Sequence, residues 1–285
     1  MKRILITGKN SYLGTSFIKY MMPYSKDYEI CELDLKSKNW KENDFSRYDI
    51  IIHLAAIVHK KNINDNKYYE INRDLSVEVA KKAKRDGVSQ FIFFSTMSVY
   101  GITDGVITRQ TIPKPKNAYG KSKLEAENLL INLNSAKFKI SILRPPMIYG
   151  PNAVGNYSKL SSFSKKIFFF PKIDNRRSML FIDNLSIYVK KIIDNELSGI
   201  FFPQNEEYVN TSELVKLIAE VNNRKIILIP GFKNIIKVLS TFVPALCKIF
   251  GTLIYDNEID NHIFIGDNSQ VDFKKSILIT EENLN

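Results

Sequence analysis

Cysteine and histidine are scarce in this 285-residue sequence, with two and three residues, and acidic residues are fewer than basic ones. The two cysteines, Cys31 and Cys247, form no CxxC pair and no Cys/His cluster, which excludes a structural zinc site and argues against a disulfide framework. We therefore expect no bound metal. Lys and Arg number 41 against 30 Asp and Glu, a net charge of +11, but the lysines are scattered along the chain. Such scatter is typical of a solvated surface and predicts no nucleic-acid partner.

The sequence also lacks a long uninterrupted hydrophobic run. The apolar stretch at its start is too short for the core of a secretory signal peptide, because Gly8 already follows it. The most apolar later stretch, 238–255, is interrupted by Pro244 and Lys248 and is a poor candidate for a membrane-spanning helix. We expect a cytoplasmic protein that does not insert into a membrane.

Short apolar runs alternate with amphipathic patterns through the first half of the chain. With 44% hydrophobic and 25% charged residues, the composition is that of a globular protein. Buried strands are predicted at 3–7, 28–33, 50–54, 91–95 and 139–143, and helices from residue 12, at 69–85 and at 119–133. This alternation predicts an α/β fold, a Rossmann-type doubly wound parallel sheet with helices on both faces.

A glycine-containing turn joins the first predicted strand to the first predicted helix. Its sequence, TGKNSYLG, places Gly8 at the turn and Gly14 where the helix packs on the strand, while Ser11 stands at the middle glycine position of a GxxGxxG loop. The amino end of a helix in this position faces a pyrophosphate. Asp34 ends the second strand and can accept both hydroxyls of an adenosine ribose. This carboxylate favours NAD, and two lysines shortly after it keep NADP as an alternative.

A threonine, a tyrosine and a lysine are predicted to come together beside the fourth strand. Thr96 follows that strand, and Tyr119 and Lys123 open a helix at a spacing of four residues, which puts both on one helix face. A lysine ammonium beside a phenol favours the phenolate, so we expect Lys123 to lower the pKa of Tyr119. The phenol then exchanges a proton with a substrate near neutral pH, and the hydroxyl of Thr96 binds the same substrate oxygen.

The regular alternation of strand and helix patterns ends after Gly150, which predicts a second, smaller domain. The segment 151–171 is rich in loops and aromatic residues, whereas a strand at 179–182 and a helix from residue 183 are expected to return to the sheet. Further helices are expected at 211–221 and 232–250. We assign residues 1–155 to a dinucleotide-binding domain, with 178–200 returning to it, and residues 156–177 and 201–285 to a smaller α/β substrate domain.

Together these motifs resemble an extended short-chain dehydrogenase/reductase of the NAD-dependent epimerase/dehydratase family. The resemblance rests on TGKNSYLG, HLAA, INRD, STMSVYG, YGKSK, RPPMIYGPN and NRRSMLFIDNL. It implies a doubly wound sheet, a bound NAD or NADP, a UDP-sugar substrate and a homodimer. It also implies that Thr96, Tyr119 and Lys123 are the catalytic residues.

The resemblance assigns further residues to the two ligands. Those expected at the cofactor are Gly8, Asn10, Ser11, Tyr12, Leu13, Gly14, Asp34, Leu54, Ala55, Ala56, Asn72, Tyr119, Lys123 and Pro146. Those expected at the substrate are Thr96, Met97, Ser98, Tyr119, Asn156 and Arg177. A guanidinium at position 177 is suited to bidentate contact with the diphosphate of a nucleotide sugar.

The reaction is predicted less directly than the site, because related enzymes share the same three residues. The 4,6-dehydratases of this family carry an Asp-Glu pair directly after the threonine, and Met97 and Ser98 stand there instead, which argues against dehydration. The motifs HLAAIVHK, RPPMIYGPNAVGNY and NRRSMLFIDNL resemble reductases of capsule and O-antigen synthesis that act on UDP-4-keto-6-deoxy-N-acetylhexosamines. We therefore expect a 4-ketoreductase in surface polysaccharide biosynthesis.

Two alternatives stay open at the level of the sequence. A 4-epimerase acting on UDP-glucose or UDP-N-acetylglucosamine uses the same three residues with a tightly held NAD. A non-catalytic dinucleotide-binding protein has the same fold but is expected to have lost part of the catalytic set, and Thr96, Tyr119 and Lys123 are all present.

Overall fold

The computed structural model describes residues 1–58, 63–259 and 269–282, which form strands and helices in alternation. The strands are β1 (Lys2–Thr7), β2 (Tyr28–Leu33), β3 (Ile50–His53), β4 (Gln90–Phe94), β5 (Gly105–Ile107), β6 (Lys139–Leu143), β7 (Met147–Tyr149), β8 (Phe169–Pro171), β9 (Met179–Phe181), β10 (Gly199–Phe201), β11 (Ile227–Ile229) and β12 (Leu253–Tyr255). The helices are α1 (Tyr12–Met21), α2 (Asp65–Tyr68), α3 (Ser76–Arg85), α4 (Ala118–Ile131), α5 (Asn156–Ser164), α6 (Ile182–Asp194), α7 (Thr211–Val221), α8 (Lys233–Phe242), α9 (Pro244–Phe250) and α10 (Phe273–Glu282).

Six of these strands form one parallel sheet in the order β10-β6-β4-β3-β1-β2. Strands β3 and β4 are buried along their whole length, as expected for apolar runs inside a sheet covered on both faces. The chain leaves β1 toward β2 on one side and returns to β3 on the other. In open α/β sheets, ligands bind at the carboxyl ends of the strands where the order reverses in this way. The predicted fold class is confirmed.

Contacts within the chain divide it into two units. The first consists of Met1–Gly101, Ile112–Pro145 and Ser186–Pro203 and contains the six-stranded sheet, whose hydrophobic core includes strand residues from β1, β3, β4 and β6 and side chains of α3 and α4. The second consists of Ile102–Thr111, Pro146–Leu185 and Gln204–Asn285, and its described residues form three two-stranded parallel sheets, β11-β8, β12-β5 and β7-β9. That one of the units binds the substrate stays a prediction.

Four predicted elements differ from the observed ones. The strand 179–182 was expected to return to the main sheet, but β9 pairs with β7 in a separate two-stranded sheet. The predicted helix 232–250 is two helices, α8 and α9, because a proline lacks the amide hydrogen that a continuous helix requires, and Pro244 begins the second helix. The segment 151–171, predicted as loops, contains α5 and β8. The predicted helix 69–85 begins earlier, at Asp65, and passes through a π-helical segment, Tyr69–Leu75. Among the described residues, no helix combines the length and the apolar character needed to cross a membrane.

Candidate active site

A tight turn after β1 brings the backbone close to the segment that follows β3. Gly8 has a φ of +103°, which residues with a side chain rarely adopt, and a Cβ atom there would lie 2.8 Å from the amide nitrogen of Ala55. Both the dihedral angle and the close approach therefore require glycine. The amide of Leu54 donates a hydrogen bond to the carbonyl oxygen of Thr7 at 2.9 Å, which joins the two segments at the same edge of the sheet.

Ser11 explains the departure from the glycine-rich pattern. It is the N-cap of α1, and its Oγ accepts a hydrogen bond from the amide of Gly14 at 3.3 Å. A Cβ atom at position 14 would lie 2.8 Å from that Oγ, so the cap depends on a glycine there. Tyr12 and Leu13 form the first turn of α1, and Asn10 precedes the cap with a φ of +60°. A close turn leading into a helix amino end fits a pyrophosphate, because the terminal amides and the helix dipole attract anions.

Asp34 and Asn72 have different positions in the candidate cofactor site. Asp34 follows β2 with an exposed side chain, which accepts a hydrogen bond from the amide two residues further on at 2.9 Å. Asn72 is buried, and its amide group pairs with the backbone of Ile57, accepting at 2.8 Å and donating at 3.0 Å. It therefore holds the backbone immediately after residues 55–56. A ribose would meet Asp34 directly, whereas Asn72 acts through the segment that it fixes.

Thr96, Tyr119 and Lys123 meet at the carboxyl end of β4. Thr96 begins a 3₁₀ turn and accepts a hydrogen bond on its Oγ1 from the amide of Ser98 at 3.1 Å. Tyr119 lies in the first turn of α4, and its side chain is hydrogen-bonded to that of Thr96. One turn further, Lys123 donates from Nζ to the carbonyl oxygen of Phe94 at 2.7 Å. The structure thus brings the three predicted catalytic residues together.

The start of α4 explains why Tyr119 is held against this turn. Asn117 caps the helix by accepting a hydrogen bond from the amide of Gly120 at 2.8 Å. A Cβ atom at position 120 would lie 2.9 Å from the carbonyl oxygen of Ser98, so the glycine lets α4 pack directly on the 3₁₀ turn. Met97 in that turn is buried, and Ser98 is half-buried. The positions of Tyr119 and of the 3₁₀ turn are therefore coupled through backbone contact.

The pKa values at this site differ from the sequence prediction. Burial raises the pKa of Tyr119 to about 12, and the hydrogen bond with Thr96 only partly opposes the effect. The prediction that Lys123 lowers the pKa of Tyr119 is wrong for this structure, in which the lysine donates to Phe94 and desolvation of the phenolate dominates. Burial likewise lowers the pKa of Lys123 to about 7, against the opposing charge of Glu127.

A buried ion pair that was not predicted from the sequence lies next to the catalytic residues. Glu127, one helical turn after Lys123, is fully buried and accepts hydrogen bonds from Arg144 at 3.1 Å and 3.2 Å from Nε and 2.5 Å from Nη2. Ser95 also donates to this carboxylate, and Arg144 donates to the hydroxyl of Tyr100 at 2.8 Å. The spacing could have indicated that Glu127 is buried, because it follows Lys123 by four residues and so shares the same face of the helix.

The remaining predicted ligand residues belong to the second unit. Pro146 is buried just before β7, and Asn156 is exposed as the first residue of α5. Arg177 is half-buried; its Nη1 donates to the carbonyl oxygen of Gly251 at 3.0 Å, and burial lowers its pKa against the opposing charge of Asp104. Arg177 is thus held by backbone contacts within this unit. Its role and those of the other two residues stay predictions.

Known proteins resemble this chain in both sequence and fold. The UDP-glucose 4-epimerase of Vibrio cholerae is 26% identical over 90% of this chain and 84% of its own length. The crystal structure of a UDP-glucuronic acid 4-epimerase from Bacillus cereus in complex with NAD has a TM-score of 0.77 at 16% identity, covering 99% of this chain and 98% of that one. A dTDP-4-dehydrorhamnose reductase from Bacillus anthracis in complex with NADP has a TM-score of 0.72 at 22% identity, covering 97% and 98%.

The family assignment rests on a match that spans most of the first unit and continues beyond it. Residues 4–195 match the model of the NAD dependent epimerase/dehydratase family, a range that includes the glycine turn, Asn72 and the Thr96–Tyr119–Lys123 set. Among the described residues, no three His, Cys, Asp or Glu side chains are grouped in a way that could hold a metal ion. The chain is an enzyme of the NAD dependent epimerase/dehydratase family, one of the extended short-chain dehydrogenases/reductases.

Proposed function

We propose that the protein reduces the C4 ketone of a UDP-4-keto-6-deoxy-N-acetylhexosamine. The observation that supports this direction most is the placement of Tyr119, a buried phenol that is hydrogen-bonded to the hydroxyl of Thr96 and keeps its proton at neutral pH, as burial raises its pKa. Ketone reduction needs a proton donor for the oxygen at C4, whereas oxidation of a C4 hydroxyl needs the same group to start as a base. A protonated phenol meets the first requirement.

In this proposal the glycine turn and the sheet edge hold the coenzyme. Gly8 and the amino end of α1 bind the pyrophosphate, Asp34 binds the adenosine ribose, and Lys123 binds the nicotinamide ribose as the family resemblance implies. When bound, NADH or NADPH supplies the hydride that C4 receives. The carboxylate of Asp34 favours NADH, because it repels the 2′-phosphate of NADPH.

The catalytic residues of the first unit then act on the sugar oxygen. Tyr119 donates its proton to the oxygen at C4, and the hydroxyl of Thr96 hydrogen-bonds to the same oxygen and orients it. Lys123, on the same face of α4, donates to the carbonyl oxygen of Phe94 and so holds the end of β4 against the helix that carries Tyr119. In the second unit, Arg177 binds the diphosphate, since its bond to Gly251 already holds the guanidinium in place.

A UDP-sugar 4-epimerase is the second candidate, and the similarity to the UDP-glucose 4-epimerase of Vibrio cholerae favours it. An epimerase begins by removing the proton of the C4 hydroxyl, so Tyr119 would have to act as a phenolate. With a pKa of about 12 that form is scarce at neutral pH unless bound ligands lower the value. An epimerase also keeps its NAD between turnovers, whereas a reductase exchanges its coenzyme every turnover.

The decisive experiment mixes the purified protein with UDP-4-keto-6-deoxy-N-acetylglucosamine and either NADH or NADPH. We expect stoichiometric loss of absorbance at the reduced nicotinamide band, faster with NADH. The Tyr119→Phe variant serves as the inactive control, because it keeps the ring and loses only the hydroxyl.

Two results would contradict the reductase. The first is no loss of absorbance with either coenzyme. The second is nicotinamide that stays bound through purification, together with conversion of UDP-glucose or UDP-N-acetylglucosamine to its C4 epimer. The second result would establish the epimerase instead.

A further inference from the structure

Helix α8 in the second unit exposes a row of large apolar side chains. Ile235, Val238, Leu239 and Phe242 are spaced so that they share one face of the helix, and they are 54%, 60%, 46% and 80% exposed. An amphipathic helix usually turns such a face toward a core. Contiguous exposed apolar surface on a folded protein indicates a site of contact with a partner or a membrane.

The two-stranded sheet of β8 and β11, the second of which precedes α8 along the chain, has the same character. Phe169 of β8 pairs with Ile227 of β11, and the two are 59% and 60% exposed on the outer face. On the inner face Phe170 is only 4% exposed, and its ring lies 5.6 Å from that of Phe250 in α9. A sheet with one solvated face normally alternates apolar and polar residues. This sheet is apolar on both faces, and only the inner face is covered by the core of its own unit.

These elements lie in parts of the chain that lack acidic residues. No Asp or Glu occurs between Glu220 and Asp256, which includes β11, α8 and α9, or between Glu127 and Asp174, which includes β8. The exposed basic residues of these elements and their flanks are Lys166, Lys172, Lys225, Lys233 and Lys248. Arg224 lies over the ring of Phe168, with its guanidinium carbon 5.3 Å from the ring centre. Within these two stretches of sequence, the charged residues that accompany the exposed apolar side chains are all basic.

We propose that the apolar and basic faces of α8 and of the β8–β11 sheet dock on a lipid bilayer that contains anionic lipids. An interfacial helix buries its apolar face among the acyl chains while basic residues meet anionic headgroups. The ten residues of α8 are too few to cross a membrane, so the helix lies along the surface.

The charge of the surface argues against the two other kinds of partner. A second copy of this chain, related by two-fold symmetry, would bring like-charged lysines together at the interface. A nucleic acid would pair with the lysines but would leave the aliphatic row of α8 in water. An anionic bilayer satisfies both the charges and the apolar side chains.

The test is sedimentation of the 285-residue chain with lipid vesicles. We expect the protein to pellet with vesicles of phosphatidylcholine and phosphatidylglycerol, to pellet much less with pure phosphatidylcholine, and to be released by salt. Phe242→Glu is expected to weaken binding at least about tenfold, because it removes one of the most exposed apolar contacts and adds a negative charge. Lys233→Glu is expected to weaken binding to the anionic vesicles alone, by about fivefold or more.

Ile112→Glu is the matched control, because Ile112 is 69% exposed but belongs to the first unit. It makes the same change of charge and is expected to leave vesicle binding unchanged. Thermal melting of each variant checks that the fold is intact. Failure to pellet with anionic vesicles, or equal binding to neutral ones, would overturn the proposal. So would a Phe242→Glu variant that changes the oligomeric state in solution without changing vesicle binding, since the surface would then be a subunit interface.

Discussion

In folded proteins charged side chains are usually exposed and large apolar ones buried. The candidate active site of the first unit and the α8 surface of the second unit depart from this rule in opposite ways. Around Tyr119, charged groups are buried, and Lys123 and Glu127 each have hydrogen-bond partners. On α8, large apolar side chains remain exposed, Phe242 at 80%. Burying charge and exposing apolar surface both cost free energy. Each departure therefore indicates a place where the chain meets another molecule: a reacting sugar at the first and, we propose, a bilayer at the second.

Removal of the Tyr119 hydroxyl is expected to have the largest effect in either region. Tyr119→Phe should lower kcat between about 10³- and 10⁴-fold, because the phenol is the proposed proton donor at C4. The control is Tyr24→Phe, at a partly exposed tyrosine outside the site. Steady-state kinetics with the 4-keto sugar nucleotide measure both variants. A kcat of Tyr119→Phe within tenfold of wild type would assign proton donation to another group.

We expect the buried ion pair of Glu127 and Arg144 to contribute more to the free energy of unfolding than an ion pair at the surface does. Glu127→Gln should lower the free energy of unfolding by about 3–5 kcal/mol, because it leaves the guanidinium of Arg144 buried without its counter-charge. Glu125→Gln, two residues earlier on α4, breaks a partly exposed pair with Arg73 and should cost at most about 1 kcal/mol. Urea denaturation measures both. Equal losses would mean that burial of the inner pair contributes nothing specific.

Two neighbouring phenylalanines of β8 allow a buried and an exposed side chain of the second unit to be compared. Phe170→Ala should destabilise the protein by about 3 kcal/mol, because the side chain is buried and leaves a cavity. Phe169→Ala should change the free energy of unfolding by less than about 0.5 kcal/mol, because that ring is already 59% exposed. Thermal and urea unfolding compare the pair. A large loss at Phe169 would show that the outer face contributes to the fold and is not free for a partner.

The glycine turn is expected to control coenzyme binding. Gly8→Ala should weaken NADH binding by about 1–3 kcal/mol, because the new Cβ meets the amide of Ala55 and the φ of +103° strains the backbone. Gly87→Ala is the control: its φ of +89° is also positive, but nothing lies within 4 Å of the added atom. Fluorescence titration with NADH measures both. Equal weakening would mean that strain, rather than the close approach, is responsible.

The pKa of Lys123 gives the prediction with the most specific pH window. Burial lowers this pKa to about 7 from 10.5, so between these values the unfolded state binds a proton that the folded state has released. The free energy of unfolding should therefore rise with pH across this window, by on the order of 1 kcal/mol per pH unit from this group. Lys123→Met should remove that rise, whereas Lys121→Met, at an exposed position on the same helix, should keep it. Denaturation series at several pH values decide between them.

Much of the fold could be predicted because its signals are local. Strands 28–33 and 139–143 and the helix 211–221 match the observed elements, since an apolar run or a helical period is visible within a few residues. The turn at Gly8 was predictable for the same reason. The break at Pro244 was visible too, but the predicted helix ran through it, and the short elements α5 and β8 lack a clear period.

The sequence by itself determined the doubly wound sheet, the glycine turn and the set Thr96, Tyr119 and Lys123, because spacing along a strand or helix places these residues at one edge of the sheet. Only the tertiary structure decided the protonation of Tyr119, the pairing of Glu127 with Arg144 and the exposure of α8. Each of these depends on how completely segments that are distant in the sequence exclude water from the side chains concerned. A titrating group responds to that burial as strongly as to its neighbours along the helix, which is why the pKa of Tyr119 is raised where helix spacing alone predicted a lower value.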